Sequence, residues 1–197
     1  LTIAQWNHLS NITHCYDEYH SLSFAQQTID EQQKLPLKRR FKGNTIEQIM
    51  QSFASNVQHL YTKNADFLSL SSSTRSTLLR RTMLPVASLS CCFLAQTSQL
   101  LSNSAFFQTM EVTYGSASSR YGQLTAERLD RDVVFVKLIM ALLIFSTFDC
   151  STDRAGDQQS DPIDSRSIVD LQNRYVELTW RYLVHRYDDQ QAVRCFS

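Results

Sequence analysis

Between Thr45 and Asn64 the apolar residues Ile46, Ile49, Met50, Phe53, Val57, Leu60 and Tyr61 return at steps of three and four. A strand would throw such a set onto both faces, whereas an α-helix gathers it into one stripe. Leu78 to Leu94 and Val133 to Phe148 are apolar in the same way, and Ile168, Leu171, Tyr175, Leu178 and Tyr182 form a heptad-like seam. The 197 residues hold only 4 Gly and 3 Pro, too few for the many tight turns of an all-β fold. The expected class is therefore all-α, and 43% hydrophobic residues suffice for one globular core.

One domain is expected over residues 1–197, in roughly seven helices. Thr2 is set to cap a first helix carrying Ile3, Trp6, Leu9, Ile12 and Tyr16. The period dissolves over about 21–44, where a flexible loop is expected, with Lys34, Pro36, Lys38, Arg39, Arg40 and Lys42 in it. Either a solvated loop or a basic recognition patch fits that composition. Ser73 or Thr74 is the expected cap of the helix after Asn64, with Pro85 kinking it and apolar residues nearly all round. Partial alternation of Phe106, Met110, Val112 and Tyr114 before Gly115 predicts a short β-hairpin or extended arm over Asn103 to Ser119. A further flexible loop is expected over about 149–163. The first residue is Leu1 rather than Met, which suggests a fragment of something longer.

Lys and Arg together number 19, as do Asp and Glu, so the chain as a whole exerts no electrostatic pull on nucleic acid or anionic membrane. Five cysteines, in no zinc-site spacing, read as reduced thiols. The run Val133 to Phe148 is short of a bilayer span and is interrupted by Lys137. There is no G-x-S-x-G, H-E-x-x-H or P-loop, and the histidines His8, His14, His20, His59 and His185 fit no catalytic template with nearby carboxylates. Enzymatic chemistry is therefore not expected. A large apolar helical interior can house a hydrophobic ligand or simply pack upon itself.

The stretch from Leu60 to Arg81 resembles the signature of nuclear receptor ligand-binding domains. Leu60 stands at the signature's aromatic position, Phe67 at its Phe and Leu70 at its following leucine; Leu78, Leu79 and Arg80 match its Leu-Leu-Arg ending. Asp132 to Phe145 is similar to the family's eighth helix and Val169 to Leu183 to its ninth. The resemblance implies a layered antiparallel helical sandwich and a transcription-regulating domain of the nucleus or, alternatively, the cytoplasm. Helical coregulator peptides and a small lipophilic ligand would bind it. It implies a coregulator groove at Lys63, Arg75, Leu79 and Arg80, and a ligand pocket lined by Phe53, Val57, Leu60, Leu89, Cys92 and Phe93. A receptor dimer partner is also implied, as is DNA reached only through a separate domain holding any zinc; no cofactor, metal, catalytic residue or membrane contact is implied for this chain.

The departures are specific. Thr62 occupies the place of the groove lysine, with Lys63 one step on, and Thr74-Arg75 replaces an Asp-Gln pair. Pro85 stands at a polar position of the central helix, and Phe93 and Leu94 leave no arginine for an acidic ligand. The chain ends where the family's tenth helix would begin, before the dimerisation and activation helices. A degenerate receptor acting as a ligand-independent interaction scaffold is the alternative, and an unrelated helical enzyme is the third reading.

Overall fold

The computed structural model describes residues 1–146 and 164–196. All its described regular elements are helical: α1 (Ile3–Cys15), α2 (Glu18–Gln33), a 3-10 turn (Leu37–Arg39), α3 (Gly43–Thr62), α4 (Ala65–Leu68), α5 (Ser72–Thr97), a second 3-10 turn (Leu100–Ser102), α6 (Ser104–Tyr114), α7 (Ser116–Arg128), α8 (Val133–Ile144), α9 (Ser165–Arg186) and α10 (Asp189–Phe196). The all-α expectation holds. The chain divides into two compact units, the first from Leu1–Tyr16, His59–Val86 and Asp132–Ser197, the second from Asp17–Gln58 and Ala87–Arg131.

Two expectations are overturned. No hairpin forms over Asn103 to Ser119, because Asn103 accepts hydrogen bonds from the backbone N–H of Ala105 (3.1 Å) and Phe106 (3.2 Å) and so starts α6. The apparent alternation there conceals the helical pair Phe106 and Met110; α6 then gives way to α7 at Gly115, whose φ of 87° suits glycine. The loop expected over about 21–44 is largely α2 and the first 3-10 turn. Asp17 caps α2, and Ser21, Ala25 and Ile29 are buried at four-residue steps. Two of those three side chains are small, so the buried stripe is too faint for a hydropathy pattern. The loop expected over 149–163 lies outside the described residues.

In the second unit, α3 buries Ile46, Ile49, Phe53 and Val57, as its stripe predicts. Ser90 on α5 donates to the carbonyl of Phe53 at 3.1 Å, and Ser21 on α2 donates to the carbonyl of Ser52 at 3.3 Å. Asn56, itself buried, donates to the carbonyl of Asp17 at 2.7 Å, which holds the start of α2 against α3. These small hydroxyl and amide side chains let helices approach closely while satisfying buried polar groups.

In the first unit, α1 starts with a capping box between Thr2 and Gln5. Its inner face is Leu9, Ile12, Cys15 and Tyr16, while Ile3 (82% exposed) and Trp6 (55%) turn outward, so the expected stripe is only half buried. Asp132 caps α8. Lys137, the one charge in that apolar helix, is buried and donates to the carbonyl of Thr13 at 3.2 Å; its Nζ also lies 5.7 Å from the centroid of the Tyr16 ring. The cation thus meets the negative end of the α1 dipole and an aromatic face. Asp164 caps α9, whose Ile168, Leu171, Tyr175 and Leu178 are buried as the seam predicts. The tail beyond it forms α10 and packs Ala192 with Leu183 and Phe135.

Helix α5 runs through Pro85 without interruption. By length and composition it is apolar enough to cross a membrane. Its burial, however, is one-sided: Leu78, Thr82, Val86, Ser90 and Leu94 are buried at successive four-residue steps, whereas Arg80, Leu84 and Ser88 between them are exposed. The expectation of a helix buried all round is corrected accordingly. Cys91 and Cys92 are half-buried free thiols, and desolvation pushes the Cys91 thiol up to about 12.

Tyr61, at the end of α3, is buried, and its hydroxyl lies 2.9 Å from the Thr82 hydroxyl on α5. Burial pushes its phenol up to about 12, although the Thr82 hydrogen bond pulls the other way. A raised folded pKa means that the unfolded chain loses its proton first, so this stabilisation is complete below pH 10 and lost between about pH 10 and 12. Tyr61→Phe removes this contribution. Urea denaturation at pH 8 and pH 11 will show an alkaline loss smaller by about 1 kcal/mol in the variant than in the parent.

Candidate functional site

The signature-like stretch folds as a compact corner of the first unit. Asn64 is fully buried and caps α4, accepting from the N–H of Asp66 (2.9 Å) and Phe67 (3.1 Å). Phe67 packs its ring edge-on against Tyr61 at 5.1 Å, and Leu70 is buried beside it in sequence. Both pin the corner to the core, as expected. Ser72 and Ser73 then begin α5. Ser71 accepts from the N–H of Thr74 at 3.2 Å and donates to the Thr74 hydroxyl at 2.9 Å, so it takes the capping place expected of Ser73 or Thr74.

A polar junction that sequence spacing does not announce lies behind this corner. Asp66 Oδ2 accepts from the Tyr175 hydroxyl at 2.6 Å and lies 2.9 Å from His8 Nδ1. The residues come from α4, α9 and α1, 58 and 109 positions from Asp66. Asn11 donates to Asn64 Oδ1 at 3.3 Å, and Asn64 Nδ2 donates to the Tyr175 hydroxyl at 3.5 Å. Tyr175 stacks on Phe145 at 5.3 Å and meets His8 edge-on at 6.2 Å. Burial drives the Tyr175 phenol far above its ordinary value, and the Asp66 charge adds to the shift, so the hydroxyl stays protonated as a fixed donor. Cys15 is raised by burial as well, with Lys63 opposing the shift and Asp66 adding to it, which brings both charges within electrostatic reach of the thiol. The junction offers a held carboxylate, a locked hydroxyl and a half-buried imidazole; its evident work is to tie three helices behind the corner.

The residues expected of a coregulator groove all belong to the first unit. Lys63 is exposed, just past the end of α3. On α5, Arg75 is half-buried, Leu79 is 41% exposed and Arg80 is exposed. Arg75, Leu79 and Met83 follow at four-residue steps along one edge of the helix. The Nε of Arg75 is buried and has no hydrogen-bond partner among the described residues. Leu68 of α4 adds a second exposed leucine, at 44%.

The six expected ligand-pocket residues divide. Phe53, Val57, Leu89, Cys92 and Phe93 belong to the second unit and Leu60 to the first. Phe53, Val57, Leu60 and Phe93 are buried, and Leu89 and Cys92 are half-buried. Among the described residues no group of three or more His, Cys, Asp or Glu is arranged to hold a metal ion. No family model, curated protein or solved structure matches the chain.

Because Asp66 accepts from two partners, its loss leaves a buried hydroxyl and an imidazole unsatisfied. Asp66→Ala is expected to lower the unfolding free energy by about 2–4 kcal/mol, and Tyr175→Phe, which keeps the ring on Phe145, by about 1–2 kcal/mol. In a double-mutant cycle the two will fall short of additivity by about 1 kcal/mol or more, whereas additive losses would separate Tyr175 from Asp66.

Proposed function

We propose that this chain is a divergent nuclear-receptor-like ligand-binding domain whose first unit recruits helical coregulator peptides and thereby regulates transcription. The observation that carries the proposal is the exposure of Leu79 on one edge of α5, between the cations Arg75 and Arg80 in sequence. An unburied leucine flanked by fixed positive charge suits an amphipathic partner helix. The partner's leucines cover Leu79 and Leu68, and its C-terminal carbonyls, negative by the helix dipole, face a cation. Lys63 takes the capping part that the family gives to the position held here by Thr62.

The same reading gives the second unit a neutral lipophilic ligand. Phe53, Val57, Leu89, Cys92 and Phe93 are its candidate lining, and Phe93 in the family's arginine neighbourhood disfavours an acidic ligand. The absence of catalytic motifs in the sequence supports a binding domain over an enzyme.

The test is titration of fluorescent leucine-rich amphipathic peptides against the parent and two surface variants. Leu79→Ala should weaken binding by about tenfold, the worth of one well-packed interface leucine. Arg80→Glu should abolish it through charge reversal against the peptide's negative end. Circular dichroism should be unchanged in both, since both side chains are exposed. Unaltered affinity in both variants would remove the α5 edge from coregulator recognition.

A further inference from the structure

Residues 34–42 carry Lys34, Lys38, Arg39, Arg40 and Lys42, five cations in nine residues, and no acidic residue occurs between Gln32 and Ile46. The chain's overall charge of zero conceals this local concentration. The segment is folded, not loose. The Arg40 guanidinium donates from Nε to the Leu35 carbonyl (2.9 Å) and from Nη2 to the Gln33 carbonyl (2.8 Å), closing the turn on itself. Phe41 is fully buried, stands edge-on to Phe106 at 5.6 Å, and gives its N–H to Gln32 Oε1 at 2.7 Å. That anchoring holds Phe41 at a φ of 47°, in the left-handed region that disfavours a non-glycine residue. Lys34, Lys38, Arg39 and Lys42 are left exposed around it, and the apolar side chains of Leu37 (74% exposed) and Leu35 (37%) stand out among them.

We propose that this anchored turn is a docking surface for an anionic phospholipid bilayer. Cations alone would suit any polyanion, but the outward leucines distinguish among them. A nucleic acid backbone supplies phosphates and no seat for protruding aliphatic side chains, and the turn has no exposed aromatic residue for base stacking. A bilayer surface supplies both: headgroup phosphates and carboxylates for the four exposed cations, and an acyl boundary for Leu35 and Leu37. A bilayer also accepts a convex turn without a complementary pocket. The site lies wholly in the second unit and is independent of the coregulator reading.

The test is flotation of the full 197-residue chain with vesicles of phosphatidylcholine alone or of phosphatidylcholine mixed with phosphatidylserine, the anionic lipid that gives such surfaces their negative potential. The account expects co-flotation with the anionic vesicles only. Lys38→Ala/Arg39→Ala should weaken it by about tenfold or more, at roughly one kcal/mol per cation near an anionic surface, with helicity retained. Leu37→Ser should weaken it too, and its residual binding should be more readily removed by salt. Absence of phosphatidylserine-dependent flotation would overturn the proposal. So would equal flotation of the Lys38→Ala/Arg39→Ala variant. Binding of a duplex oligonucleotide that depends on Lys38 and Arg39, without vesicle binding, would reassign the turn to nucleic acid.

Discussion

One carboxylate holds the corner between α3 and α5. Asp66 takes the Tyr175 hydroxyl from α9 and the His8 imidazole from α1 on a single oxygen, while its own N–H is held by the Asn64 cap. A charge-assisted hydrogen bond of this length is worth more than a neutral one, and a largely buried carboxylate left without such donors would be strongly destabilising. The four residues of α4 are too few to be stable alone. Their position comes from this junction behind and from Phe67 against Tyr61 in front. Only three residues separate α4 from α5, so the direction in which Leu79 points is set from the same corner.

Much of this architecture is legible in the residues, and the failures have identifiable physics. The stripes of α3 and α9 are built from large apolar side chains at helical spacing, and all their members but the half-buried Met50 and Tyr182 are buried as expected. Helix α2 escaped because Ser21 and Ala25 do on its inner face what leucine does elsewhere. The alternation over Asn103 to Ser119 suggested strands because it ignored the capping power of Asn103. Helix α5 reads as apolar all round, yet every fourth residue from Leu78 to Leu94 faces inward and its outer leucine, Leu84, is 75% exposed. Composition reports how much apolar surface a helix has, not which neighbours arrive to cover it.

The candidate sites divide along the same line. Lys63, Arg75, Leu79 and Arg80 are close in sequence, so a local motif can point to them. His8, Asp66 and Tyr175 meet only through tertiary packing, and no local pattern joins positions 8, 66 and 175. The nearest signal was the Asn64-Ala65-Asp66 cap, which hints at a held turn but not at its partners. The basic segment from Lys34 to Lys42 was visible as composition. Its character depends on a feature that composition lacks, namely that Arg40 and Phe41 are consumed in anchoring the turn while Leu37 and four cations remain outside.

The central claim is that the edge of α5 above this corner receives a partner helix. The most direct measurement is amide chemical-shift mapping of the isotopically labelled chain during titration with a leucine-rich amphipathic peptide. The account predicts saturable shifts concentrated at Lys63, Leu68, Arg75, Leu79 and Arg80, with the amides of His8 on α1 and Tyr175 on α9 retaining their free-state positions. Shifts confined to other surfaces, or none at saturating peptide, would contradict it.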